Sequence, residues 1–388
     1  MIANNIFIRN FTFLIYGLIS FTVFYLILKL SIPTDIQLHI KILHVYLANG
    51  LFPTPPLYYQ SVKIIDRLIG NYDFIRSSIL ILTIACLAKY QITNLYFREK
   101  IDTISFPSLV IFSLMFVAPL AVSNFDKLYL GKFTSTIWHN STSIFVFPLS
   151  LLLFLCSLKY LHQPTLKRII VILLISLLVL LAKPSFLFPF VIVFPLISLL
   201  KFGISKRLFW YTVGTALIIF VCMMWQKQVI YKSSVLDKLI YNSSESKVYL
   251  APFRVWLSWT KNPAWSIISS FLIVISFALL KFREYKKDID VIFAFLLVLF
   301  SLLIFFVLAE SGPRFNHGNF YWQIPISIFI LHMVLIKKLI FQPEYVQNGH
   351  VNIAKVLKNN ILISFCYAVQ FISGLIYTGR IIVEGNYL

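Results

Sequence analysis

Long apolar runs broken by short polar ones set the character of this chain. At about 20 apolar residues per bilayer crossing, eleven runs qualify or come close: Phe11–Leu30, Phe74–Leu95, Ile104–Val122, Ser143–Leu161, Arg168–Ala182, Phe186–Lys201, Leu208–Met224, Trp265–Phe282, Asp290–Ala309, Tyr321–Phe341 and Ile361–Tyr377. The pattern predicts an all-α fold, a polytopic membrane bundle of about 11 transmembrane helices in a single integral-membrane domain. Lys183-Pro184, between the short fifth and sixth runs, makes either a tight turn or a broken helix. Pro189 and Pro195 predict a kink in the sixth. Within 33–60, Pro33 is tolerated at a helix start and Thr34 can cap the free N–H groups. Asp35, His39, Ile42 and Tyr46 then share one helical face, until Pro53-Thr54-Pro55-Pro56 turns the chain. This reads as an interfacial helix and Pro-rich turn in the first loop. Residues 225–263 form the one long loop.

Composition narrows the class. Hydrophobic residues make up 59% and charged residues 12%, with a mean hydropathy of +0.86, whereas about a quarter of a soluble domain is charged. The formal charge of +20 comes with no basic stripe or RNA-binding signature, so no nucleic-acid partner is expected. Basic residues concentrate in alternate loops: Lys89 and Arg98; Lys159, Lys167 and Arg168; Lys201, Lys206 and Arg207; Lys281, Arg283, Lys286 and Lys287; Lys337 and Lys338. That bias places the N-terminus in the cytoplasm and, with eleven crossings, the C-terminus outside. The first run lacks a small-residue cleavage site and reads as a retained span. Cys86, Cys156, Cys222 and Cys366 lie inside apolar runs, without the spacing of a zinc site or a disulfide framework.

With this orientation the unusual polar residues fall on the outer side. The first outer loop carries Asp35 and His39, and the second carries Asn124-Phe125-Asp126-Lys127 and then Trp138-His139-Asn140. Lys183 marks the third, and Glu310, Arg314, His317 and Asn319 the fifth. Each has a plain alternative. Asp35 is either a helix-start residue or a functional carboxylate, since ionisable groups at a membrane boundary are costly unless used. His39 either packs at the interface or touches substrate; His44, nearly opposite, reads as a surface residue. Trp138-His139-Asn140 is an aromatic anchor with a polar turn, or a sugar or phosphate contact. Arg314 either pairs with Glu310 or forks onto phosphate oxygens. Gly312 and Gly318 allow tight backbone paths around it. Lys183 either snorkels to the headgroups or adds a second positive charge. Tyr241, Tyr249, Trp256 and Trp259 stack on sugars or form an interfacial belt.

Thr34-Asp35, the helix with His39, and the turn Gly50-Leu51-Phe52-Pro53 leading to Pro56-Leu57-Tyr58-Tyr59 together resemble the GT-C class of integral-membrane glycosyltransferases. The resemblance is concentrated in residues 34–59. It implies a polyprenyl-phosphate-linked sugar as donor, a glycan or lipid as acceptor, membrane lipids as surroundings and Tyr58 near substrate. It also implies a bacterial inner membrane with the active site on the outer face. The class often has two adjacent acidic residues where Asp35 is followed by Ile36, so a divalent metal is left open. Plain chemistry agrees with this assignment. Displacing a lipid phosphate needs a base near the acceptor hydroxyl, which Asp35 fits, and positive charge near the phosphate, which Arg314 and Lys183 fit together with His139 or His317. Attack opposite the phosphate predicts inversion at the anomeric carbon. No nucleotide-binding glycine loop is present. Two other functions compete: a polymerase or ligase using lipid-diphosphate donors, and a lipid-linked sugar flippase. A flippase should carry ionisable residues deep in its spans, and the spans read as nearly free of charge.

Overall fold

A computed structural model of the chain describes residues 2–70, 72–98, 105–120, 131–232, 247–347 and 350–384. Asn124-Phe125-Asp126-Lys127 and Tyr241 lie outside the described residues. The helices are α1 (Ile2–Lys29), α2 (Asp35–Ala48), α3 (Leu57–Ile69), α4 (Ile75–Arg98), α5 (Ser105–Leu114), α6 (Ser141–His162), α7 (Leu166–Ala182), α8 (Leu187–Phe202) and α9 (Arg207–Lys232). They continue with α10 (Arg254–Trp259), α11 (Pro263–Ser270), α12 (Leu272–Tyr285), α13 (Ile289–Val307), α14 (Gln323–Ile340), α15 (Ile353–Asn359) and α16 (Ile361–Glu384). Two short antiparallel pairs join them, β1 (Val248–Leu250) with β2 (Leu308–Glu310), and β3 (Val346–Gln347) with β4 (His350–Val351).

Among the described residues eight helices are long and apolar enough to cross a bilayer: α1, α4, α6, α8 with the 3-10 turn Pro184–Phe186 before it, α9, α13, α14 and α16. The pair α11–α12, bent by 65°, makes a ninth if it counts as one span. The chain is therefore a polytopic helical membrane protein by length and composition. Outward-facing side chains such as Leu14, Leu18, Leu217, Val221 and Phe365 are exposed and apolar, as a lipid-facing belt requires. Helix α14 sits at the centre, with 94% of its span buried.

Two of the eleven predicted runs take other forms. Helix α7 has 17 residues, about 25 Å at 1.5 Å per residue, a little short of the apolar core. The run Ile104–Val122 gives only the ten-residue α5. Its chain leaves the helix because other groups take over the backbone bonds. Thr136 Oγ1 donates to the Met115 and Val117 carbonyls (3.1 and 2.8 Å), and Ser373 Oγ donates to the Pro119 carbonyl (2.6 Å). Non-helical backbone survives at membrane depth where protein satisfies it. Gly374 permits this packing, since a Cβ there would lie 1.3 Å from the Phe116 oxygen.

Lys89 corrects the sequence reading. It belongs to no inner loop; it is buried within α4, its ammonium 4.0 Å from the ring centroids of both Phe147 and Phe329. His332, buried in α14, has no hydrogen-bond partner on either ring nitrogen among the described residues. The spans thus hold more ionisable groups than expected. At the end of the bundle where α6 finishes and α13 begins, His162 pairs with Asp290 (2.6 Å), and Lys338 pairs with Asp288 (2.6 Å) and Asp290 (3.0 Å). The predicted long loop 225–263 is shorter than expected, because α9 runs on to Lys232 and β1 and α10 follow.

Candidate active site

The site forms at the other end, where α6, α8 and α14 start and α7 and α13 finish. Helix α2 lies across it, and its Asp35, Leu38, His39, Ile42 and Tyr46 all line one cavity. That is the face the i, i+3, i+4 spacing required. Thr34 occupies the N-cap position in extended backbone, but its side chain makes no capping bond. Its hydroxyl is buried with no hydrogen-bond partner, so the expected threonine cap is absent. His44 lies on the far side, against Phe74, as expected.

Asn140 ties the site together. As N-cap of α6 its Oδ1 accepts from the Ser143 amide (2.9 Å). With the carbonyl end spent there, the amide end is left to donate, and Nδ2 donates to Asp35 Oδ2 at 2.5 Å. The same Oδ1 accepts from Lys183 Nζ at 3.0 Å. Lys183 follows the last residue of α7, and its other two protons go to Thr142 Oγ1 (3.0 Å) and Ser143 Oγ (2.8 Å). Its ammonium also stands 4.9 Å from the Trp322 ring. Burial pushes the Lys183 amine down to about 7, although the nearby Asp35 carboxylate acts the other way.

The rim after α13 supplies the rest. Strand β2 brings in Glu310, whose Oε2 accepts from Asn319 Nδ2 at 2.5 Å. The 3-10 turn Gly312–His317 carries Arg314 and His317. Gly312 and Gly318 at its two ends both have positive φ (67° and 54°). Glu310 and Arg314 are buried, and both line the cavity.

The cavity measures about 530 Å³, within the usual range for small-molecule sites. Asp35, His39, Asn140, Lys183, Glu310, Arg314 and His317 gather at it. His139 and Tyr58 do not line it. His139 packs on Trp322 (5.5 Å), and Tyr58 packs under His39 and Tyr59. Burial pushes both His39 and His139 down to about 4, so at neutral pH neither carries positive charge for a phosphate. Much of the rest of the wall is apolar, with Phe188, Val191 and Ile192 from α8 and Phe220, Met223 and Met224 from α9. Ile192 is 40% and Phe220 46% exposed, so the cavity meets the exterior between these two helices.

Several lining residues went unread in the sequence, namely Thr142, Gln226, Lys227 and Trp322. The polar run Asn140-Ser141-Thr142-Ser143 was the available signal, since it spells a helix start. Among the described residues no three His, Cys, Asp or Glu side chains gather where a metal ion could be held, so these residues do not fit one. No family model matches the sequence, and no curated protein matches it either.

Proposed function

We propose that this chain is a membrane glycosyltransferase of GT-C type, moving a sugar from a polyprenyl-phosphate donor to a glycan or lipid acceptor. One observation carries the reading: the Asp35 carboxylate, the Lys183 ammonium and the Arg314 guanidinium, brought from three separate parts of the chain, meet at one cavity that has a largely apolar side reaching the exterior. An amphiphile fits such a cavity. Its tail lies along Phe220, Met223 and Met224, and its phosphate lies by Lys183 and Arg314.

Asp35 takes the proton of the acceptor hydroxyl, the acceptor oxygen bonds to the anomeric carbon, and the bond from that carbon to the phosphate oxygen breaks. The lipid phosphate departs with the electron pair, and its charge is met by the ammonium and the guanidinium. Attack from the side away from the phosphate inverts the centre. Asn140 holds the carboxylate in place throughout. In this reading the protein sits in a bacterial inner membrane, N-terminus inside and the cavity on the outer face.

Asp35→Asn should lower kcat by about 10²–10⁴-fold, the usual contribution of a general base, while donor binding is kept. Arg314→Ala should chiefly raise the donor's KM. Both are measured with purified protein and a lipid-phosphate sugar, the product being followed by mass spectrometry. Full activity in Asp35→Asn removes the base and, with it, this mechanism. A flippase is the second reading, favoured by Lys89 and His332 within the spans, although neither lines the cavity. A deletion strain separates the two: unmodified acceptor indicates transfer, and lipid-sugar trapped in the inner leaflet indicates transport.

A further inference from the structure

His39 lies in the cavity wall, but one of its ring nitrogens is spent elsewhere. Nδ1 is 2.5 Å from Ser141 Oγ. Ser141 is fully buried at the start of α6, and among the described residues its hydroxyl has no other hydrogen-bond acceptor. The Tyr58 hydroxyl, also buried, donates to Ser78 Oγ at 3.5 Å. The nitrogen left for the cavity is Nε2, which has no hydrogen-bond partner among the described residues.

Counting protons decides the direction of these bonds. A serine hydroxyl has one proton to give and two lone pairs to receive with. If Nδ1–H donated to Ser141, the serine proton would be buried with no acceptor among the described residues, which is costly. If Ser141 donates to Nδ1, while Tyr58 donates to Ser78, every proton is placed. We propose that Ser141 is a positioning residue that holds His39 as its neutral Nε2–H tautomer, so that His39 gives the cavity a hydrogen-bond donor and not a base.

The surroundings agree. Asp35 on the same helix, Lys183 after α7 and His317 on the rim turn are the charged or titratable groups that act on His39. Burial outweighs the carboxylate and keeps the ring neutral near pH 7. The rings of Tyr58 and Tyr59 lie 6.2 and 5.9 Å from it and fix its plane. The inference deepens the proposed function: an N–H directed into the cavity suits an oxygen lone pair on a sugar hydroxyl or a phosphate, and leaves proton removal to Asp35 alone.

The test is the ring ¹⁵N spectrum of histidine-labelled protein in lipid nanodiscs, with His39 assigned among the seven histidines by its loss in His39→Gln. The expected result is a pyrrole-like Nε2 and a pyridine-like Nδ1, unchanged between pH ~5.5 and ~8, the range in which an ordinary histidine titrates. Ser141→Ala should turn this into a tautomer mixture, and Ser141→Thr, which keeps the hydroxyl, should restore the single form. An Nδ1–H tautomer or an imidazolium at neutral pH in the unaltered protein overturns the inference, as does a Ser141→Ala spectrum identical to it. The unaltered spectrum decides by itself if the variants fail to fold. It makes no use of transfer activity, so a chain with Nε2–H at His39 and no transferase activity would sink the proposed reaction and leave this tautomer standing.

Discussion

Lys183 is the residue whose charge state governs the site within the physiological range. Below pH about 7 it is protonated in both the folded and the unfolded chain. Between about 7 and its ordinary value of 10.5 the unfolded chain holds the proton and the folded chain does not. The folded state therefore gains stability as pH rises through that window. In the proposed function, affinity for an anionic donor moves the opposite way, because there the ammonium meets the phosphate. The donor's KM should rise above pH 7, by at most about tenfold per pH unit for one required proton, as read from a pH series of initial rates. Lys183→Arg keeps its charge at every accessible pH and should flatten the profile. A profile unchanged by that substitution would remove Lys183 from the phosphate. Lys89 makes the contrast. Its ammonium is buried between two rings and lines no part of the main cavity. Desolvating a charge costs several kcal/mol, which two cation–π contacts of about 2 kcal/mol each only partly offset. Lys89→Met should leave turnover unchanged and keep or raise the thermal midpoint, whereas Lys89→Ala, which opens a void, should lower it.

At the level of elements, the rim turn between β2 and α14 holds Arg314 in place, and its geometry depends on Gly318. That residue has φ +54°, and a Cβ there would stand 2.0 Å from the Trp259 ring. Gly318→Ala should cost about 1–3 kcal/mol and displace the rim. The donor's KM should then rise as it does in Arg314→Ala, with Asp35 chemistry untouched. An unchanged KM in a folded Gly318→Ala variant would show that the rim does not set the Arg314 position. This turn was legible in the sequence, since Gly312 and Gly318 bracket Arg314 and His317 directly after an apolar run. The face of α2 was legible for the same reason: a helical spacing of four needs no partner to be seen. The pairing of Asp35 with Asn140 was not, because 105 residues separate them and periodicity carries no information across that distance. The early end of α5 was also hidden. Its sequence is apolar enough to span, and the backbone beyond it is taken up by the hydroxyls of Ser135, Thr136 and Ser373 and the carbonyls of Ser269 and Gln370, all remote from α5 in the sequence. Lys89 misled for a related reason: an ammonium between apolar runs reads as a loop until two phenylalanines from other helices close over it.

The whole molecule has two chemically different ends. The cavity end gathers Asp35, Asn140, Lys183, Glu310 and Arg314, and the far end carries Lys201, Lys206, Arg207, Arg283, Lys286 and Lys287, with the His162–Asp290–Lys338–Asp288 cluster. The positive-inside rule favours the cytoplasm for the basic, short-looped far end; in the proposed function the cavity then lies at the outer headgroup level, where a lipid-phosphate sugar would present its reacting bond. In that reading the opening between Ile192 and Phe220 faces the outer leaflet, and the proposed donor would reach the cavity sideways from the lipid. Single cysteines test this in a background where Cys86, Cys156, Cys222 and Cys366 are replaced. Lys41→Cys, on the exposed side of α2, should react with a membrane-impermeant maleimide in intact cells, and Lys286→Cys only after lysis. The reverse labelling would put Asp35 and Arg314 on the cytoplasmic side. An outer-leaflet donor could not then reach them, even with the cavity geometry intact, and the reaction would have to draw its sugar from the cytoplasmic leaflet.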